Sequence, residues 1–582
     1  MKQKSIFAVA LLLFLAAQRH SLAGSATWAT NPIGNDWNTA QNWMPNTVPD
    51  GPGDSATFAA SDITDLSLTG NIEVDSIHFD SGANPFTITI GDQAFLNFTG
   101  TGVVNDSGTV QTFTQSFAQF HTSTILFFNS ATAGDLTVFD IPGGAVTLED
   151  SASAGTAKFT ISGADFAQGN LLFVDDSTAA EATIETIGFA ITIFDGNSTA
   201  ANAVFTTIGG GVVLGVNSTA ANGVFTCSDG GAAEFTGFAT AAQGQFTASG
   251  AATSSDLACF IDLSDDTTAG DASFVINGGS APGAPAAVMT FFERATAGNA
   301  TLTMNGGTAG GAGGTLLFHD ESDGGTASLA LFDNGNLDLG KHKPTVVTVG
   351  SLEGNGQVFL GARALAVGSN NRSTAFSGVI QDGEVSLGRG GSLTKVGTGT
   401  LALSGANTYT GGTTVSSGRL VINNTADSST GTGAAQVNAG TLAGQGTMAG
   451  AVTIGSGSGT GAVLAPGLGA ARAATLTLQS NLTCKADATY TYRLNTKKGR
   501  SDQVIANGVT IESGAQFNFQ AIGRGRLRVG TVFTAISNTS ANLISGVFAN
   551  LPDGSTLTAG SNTLQVSYTG GDGNDLTLTV VR

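Results

Sequence analysis

The chain has 582 residues, with 22 Lys and Arg against 43 Asp and Glu, and a formal net charge of −21. That balance excludes a nucleic-acid binder, because such affinity comes from basic side chains that neutralise phosphates. Abundant Gly (83), Thr, Ala and Ser with scarce Lys, Glu and Arg exclude a helical or α/β enzyme, and 41% hydrophobic residues with 35 Phe exclude a disordered chain.

Lys2 and Lys4 precede an unbroken apolar run from Ile6 to Ala17, and Ser21-Leu22-Ala23 places small residues where a signal peptidase reads. Residues 1–23 therefore read as a secretory signal peptide cleaved near Ala23. The run is shorter than the roughly 20 residues a spanning helix needs. Every later apolar stretch is broken by Gly, Asn, Thr or Asp. The expected mature chain is secreted or held at the cell surface and has no spanning segment. It keeps 19 basic against 43 acidic residues.

Residues 24–104 hold all three tryptophans, Trp28, Trp37 and Trp43. Aromatics at an open coil end close its apolar interior, so this segment is expected to be an N-terminal cap with the first coils. The sharper alternative is an aromatic platform for a sugar.

Residues 105–345 repeat a block of the form Thr-Ala-small-x-x-x-apolar. Examples are Thr199-Ala200-Ala201-Asn202-Ala203-Val204-Phe205 and Thr219-Ala220-Ala221-Asn222-Gly223-Val224-Phe225. Steps between successive copies are 21, 25, 21, 20, 21, 28, 28 and 27 residues, a solenoid period. Each repeat holds short strand-like runs separated by Gly, Asn or Asp, as one coil of a β-helix requires. Phe159, Phe205, Phe225, Phe246 and Phe274 are expected to stack inward with Ile184 in register. Cys227 and Cys259 either form a disulfide or remain, with Cys484, buried thiols; the apolar neighbours Phe225, Phe260 and Leu482 favour thiols.

Residues 346–470 contain a second repeat type at 391–423. It includes Leu393-Thr394-Lys395, Gly399-Thr400-Leu401, Leu403-Ser404-Gly405 and Asn407-Thr408-Tyr409-Thr410-Gly411-Gly412-Thr413. This stretch closely resembles the autotransporter-associated β-strand repeat. The resemblance implies a right-handed parallel β-helix passenger exposed outside the cell. Autotransporters end in a membrane β-barrel of a few hundred residues. Here the sequence stops at Arg582, so the expectation is a passenger-like chain without the barrel, reaching the outside by another step.

Residues 471–582 read as a β-rich C-terminal region. Lys497, Lys498, Arg500, Arg524, Arg526 and Arg528 flank its strands, either as a solvated edge or as a dock for an acidic glycan or the cell envelope. Gly570-Gly571-Asp572-Gly573-Asn574-Asp575 resembles the start of a calcium-binding nonapeptide, but a single copy reads better as a hairpin turn.

Catalysis on an acidic polysaccharide needs clustered carboxylates beside a Lys or Arg. Residues 105–340 carry only two basic side chains, Lys158 and Arg294, and acids scattered at turns: Asp175, Asp176, Asp195, Asp262, Asp265 and Asp266. Turn formation is the commoner role of such acids. The expected fold is all-β, a right-handed single-stranded parallel β-helix with N- and C-terminal caps. The expected function is a secreted, non-catalytic protein with a structural, adhesive or surface-coating role. The alternative is a carbohydrate-active β-helix enzyme, lyase-like or glycoside hydrolase-like. No catalytic, cofactor or metal residue is assigned and no cofactor is expected. Glycans or cell-envelope components are the candidate partners.

Overall fold

The computed structural model describes residues 24–116, 123–163, 168–343, 345–383, 388–467 and 472–582. The signal peptide assigned to residues 1–23 lies outside the described residues. The chain is all-β and winds as a parallel β-solenoid of about 19 turns.

One coil shows how the sequence builds the fold. Ile191–Phe194 is a strand with Thr192 and Phe194 inward. A corner leads to Thr199, and Val204–Ile208 is a second strand with Phe205 inward. A glycine corner then returns the chain to Gly211–Leu214, one rung above Ile191–Phe194. The short runs cannot turn inside a strand, so each Gly- or Ala-rich break becomes a corner.

Two ladders run most of the length. Sheet 1 climbs from Ala26–Trp28 and Gly51–Phe58 to Val379–Gln381. Sheet 2 climbs from Asp65–Leu68 to Gln516–Ile522. The third side is one residue wide at first, a column of single bridges through Thr132, Ser153, Thr178, Thr199, Thr219, Thr240, Thr268, Thr296 and Asp323. It widens into sheet 3, from Val346–Val349 to Val509–Ile511. Sheet 4 starts at Thr447–Met448 and ends in antiparallel pairings among Val532–Asn538, Asp575–Val580, Asn562–Gly570 and Thr556–Ala559.

The expected aromatic column is present. Phe139, Phe159, Ile184, Phe205, Phe225, Phe246 and Phe274 occupy one register position on sheet 2. Phe205 and Phe225 stack at 4.4 Å and 4°, and Phe246 and Phe274 at 4.7 Å and 11°. These separations match the spacing of about 4.8 Å between strands, so the ladder fixes the ring geometry. A second column on sheet 1 pairs Phe173 with Phe194 at 4.6 Å.

The Thr-Ala-small block is a corner. The Thr hydroxyl accepts the amide two residues on, as in Thr199 with Ala201 and Thr219 with Ala221, both at 3.0 Å. That second residue is left-handed, with φ of 49° at Ala201 and 46° at Ala221. The intervening alanines, such as Ala200 and Ala220, are fully buried. Hence the block demands a capping hydroxyl, a small inward residue, and Gly or Ala at the strained position.

The change of period from about 21 to 28 residues has a local cause. Extra residues enter between sheets 2 and 1, at 249–259, 277–287 and 305–314. These loops stack on one another by backbone hydrogen bonds, including Ala251 N to Pro285 O and Gly279 N to Ala312 O, both 2.8 Å. A Cβ on Gly278 would lie 2.3 Å from Gly307 N, so the stack requires glycine there.

The first of these loops also corrects the cysteine reading. Cys227 and Cys259 form a disulfide, and only Cys484 is a buried free thiol. Loop 249–259 carries Cys259 back to a corner beside Cys227, which a separation of 32 residues conceals in the sequence. Among the described residues no helix is long and apolar enough to cross a membrane.

Candidate functional site

Of the turn acids that sequence reading singled out, Asp175, Asp176, Asp195, Asp265 and Asp266 lie at the corner after sheet 1, and Asp262 lies on a strand of that sheet. Asp150, Asp175, Asp265, Glu293 and Asp320 share one column there, each with φ between 50° and 58°. Asp tolerates this conformation better than most residues. Some of their carboxylates bind the coil below: Asp150 accepts the Asn129 amide at 2.9 Å, and Asp265 accepts the Gly237 amide at 2.9 Å, whereas Asp320 pairs with Lys343. Asp195 accepts the neighbouring Gly196 amide at 2.9 Å, and Asp176 accepts Asn197 Nδ2 at 3.0 Å. The two basic residues do not converge on this column. Lys158 faces Glu185 at 3.8 Å on sheet 2, and Arg294 forms a two-pronged pair with Asp266 at 2.6 and 2.5 Å.

One acid pair has a different environment. Glu234 and Asp262 are register partners on the outward side of sheet 1, followed by Thr290. Burial raises the Glu234 carboxyl above the usual carboxylate range. Burial also raises Asp262; the Thr290 hydroxyl opposes that rise and the Glu234 charge adds to it. Sequence reading found Asp262 but missed Glu234. Counting strand positions across the inserted loop would have paired them. Among the described residues, no group of three or more His, Cys, Asp or Glu is arranged to hold a metal.

Residues 391–423 bridge a different part of the solenoid. Between Val379–Gln381 and Thr447–Met448, no strand of sheet 1 or sheet 4 occurs among the described residues. Side chains replace the missing ladder. Asn407 Oδ1 accepts the Ile380 amide at 2.8 Å while Asn407 Nδ2 donates to Ser429 O at 2.5 Å, tying three levels together. Asp382 accepts the amides of Gly391 at 3.0 Å and Thr410 at 3.2 Å. Tyr409 is fully buried and its hydroxyl pairs with Thr413 at 2.6 Å. Lys395 points inward between Val367 and Val415 in sheet 3, and its ammonium donates to Val396 O and Gly397 O. Burial lowers its pKa to about 8. A Cβ on Gly405 would lie 1.8 Å from Gly378 O, which explains that glycine.

Residues 393–422 match the family model described as the passenger-associated-transport-repeat. Repeat and solenoid together fit a passenger-like, autotransporter-associated repeat protein. The match covers the segment in which Asn407 links successive levels where the sheet 1 ladder has ended, while Lys395 and Thr413 continue sheet 3. A search of the curated proteins finds no match.

The remaining candidates lie at the two ends. Trp28, Trp37 and Trp43 are buried, and Trp37 and Trp43 meet edge-to-face at 4.8 Å. All three pack on Phe58, so none offers a platform for a sugar. The segment Gly570 to Asp575 is the turn of the hairpin between Asn562–Gly570 and Asp575–Val580. Asp575 there accepts the Asn538 amide at 2.9 Å.

Three of the C-terminal cations line a cleft. Arg472, Ala473, Asn495, Lys498 and Arg500 line an open space of about 510 Å³. A small neighbouring hollow, which shares Arg472, Ala473, Asn495 and Arg500, is lined by a nearly buried pair, Arg493 with Asp502, at 2.8 Å. Gly525 N donates to Thr496 Oγ1 at 3.1 Å and Thr496 N to Ile522 O at 2.9 Å, which brings Arg524 and Arg526 beside Lys497 and Lys498. A Cβ on Gly525 would meet Thr496 O at 2.3 Å, so glycine permits this approach. Sequence reading missed Arg472, which lies well before the others in the chain.

Proposed function

We propose that this chain is a secreted, non-catalytic β-helix protein with a structural, adhesive or surface-coating role. The passenger repeat family points to secretion or the cell surface. The observation that carries the non-catalytic part is the use made of the polar residues. Asp150, Asp265, Asp382 and Asn407 accept backbone amides of adjoining segments, and Lys395 donates to carbonyls of its own coil. A residue committed to backbone amides in this way supports stacking and has little freedom to bind a reacting group.

Protease shaving of intact cells expressing the full chain tests the location. The proposal expects the protein in the medium or lost from the surface on shaving. Retention inside protease-resistant cells would contradict it. An attachment or aggregation assay comparing cells with and without the chain tests the role.

A further inference from the structure

The described chain is electrically polar along its axis. Residues 24–157 contain 14 Asp and Glu and no Lys or Arg. Residues 472–582 contain ten Lys and Arg against six acids. In between, residues 158–343 are acidic, but three of their four cations are already paired: Lys158 with Glu185, Arg294 with Asp266, and Lys343 with Asp320. About 19 turns at roughly 4.8 Å each make a rod of about 90 Å, which holds the two ends far apart.

At the basic end Lys485 is paired with Glu512 and Arg493 with Asp502, and a further group of cations is left for an outside partner. Arg472, Lys498, Arg500 and Arg526 are exposed and form no ion pair among the described residues. At the acidic end, Asp62, Asp65 and Glu73 carry side chains with no hydrogen bond among the described residues, and no cation of their own region neutralises them. We propose that the basic cleft of one molecule docks on the acidic first coils of a second copy, so that molecules assemble head to tail.

Screening decides whether local complementarity can overcome a net charge of −21 on each copy. At 0.15 M salt the Debye length is about 8 Å. A docking end therefore feels the opposite end it touches and little of the remaining rod. The two surfaces differ, so the contact is heterologous, and without ring closure it propagates into an open chain of molecules. The inference deepens the coating role proposed above. A strictly monomeric protein would overturn it and leave the non-catalytic reading untouched.

The test is sedimentation velocity on the full chain, with a charge swap. Wild type is expected to gain mass with concentration at 0.15 M NaCl and to fall to monomer at 0.5 M, where the Debye length is about 4 Å. Lys498→Glu/Arg500→Glu/Arg526→Glu and Asp62→Lys/Asp65→Lys/Glu73→Lys are each expected to stay monomeric. Mixing the two variants is expected to restore association, since the swapped ends complement each other. Circular dichroism and melting curves confirm that each variant folds. Wild type that stays monomeric throughout, or a mixture that does not associate, overturns the proposal. Retention of monomer on an immobilised acidic polysaccharide, without self-association, assigns the cleft to another partner and also overturns it.

Discussion

The Thr199 hydroxyl accepts the Ala201 amide at 3.0 Å at a point where Ala201 holds φ of 49°. The same pair of roles recurs up the third side of the solenoid, at Thr178 with Ala180, Thr219 with Ala221 and Thr240 with Ala242. Thr199→Val should cost about 1 kcal/mol of local stability, the usual worth of one neutral hydrogen bond. Ala201→Gly should stabilise by roughly 0.5–1 kcal/mol, because relief of left-handed strain exceeds the added flexibility of the unfolded glycine. Ala201→Val should cost about 2 kcal/mol or more. Hydrogen exchange of the flanking amides reads these changes coil by coil, which suits a solenoid whose coils contact only their neighbours.

The disulfide closes a loop across coils. Replacing Cys227 and Cys259 with Ser should cost about 3–4 kcal/mol for a separation of 32 residues, on the loop-entropy estimate. Hydrogen exchange should rise first in 249–259, and dithiothreitol should reproduce the effect in wild type but not in the double variant. Equal exchange in both proteins would show the bond to be energetically idle.

Glu234 and Asp262 have carboxyls raised above their ordinary values, chiefly by burial. A raised carboxyl holds its proton more tightly in the folded state. Its contribution is fully present below the ordinary carboxylate range and is lost as pH rises through the folded-state pKa. The Glu234→Gln/Asp262→Asn variant should therefore be more stable than wild type at neutral pH. It should also lack the wild-type decline as pH climbs out of the acid range. Thermal melts across that range check the sign.

Lys395 gives the opposite test on the alkaline side. Its pKa is lowered to about 8, below the unfolded value of roughly 10.4 for a free lysine. Between those values the unfolded chain binds more protons, so stability rises with pH across that window. Lys395→Met removes this rise. Exchange rates in sheet 3 around Val367 and Val415, compared at pH 7 and pH 9 after correction for intrinsic rates, provide the measurement.

Much of the fold was legible because the solenoid copies its chemistry. The Phe159 to Phe274 column and the Thr-Ala corners repeat at near-constant spacing, and one stacking rule explains all of them. What escaped was anything that depends on a coil's lateral neighbour across an insertion. Cys227 with Cys259 and Glu234 with Asp262 are adjacent only because loop 249–259 adds residues at a corner and leaves the register intact. The passenger repeat was recognisable as a motif, yet its role was not. That Asn407 ties Ile380 to Ser429 is visible only once sheet 1 is seen to stop at Val379–Gln381. Arg472 escaped notice because it lies far from Lys498 and Arg500 in the chain and joins them only across the coils.

If the polar residues of this solenoid serve stacking, as proposed, the chain is expected to cleave no polysaccharide. Product release from a panel of acidic and neutral polysaccharides, incubated with the purified full chain between pH 4 and pH 9, tests it most directly. No products above the no-protein control are expected at any pH. Turnover that disappears in the Glu234→Gln or Asp262→Asn variant, with folding retained, would contradict it.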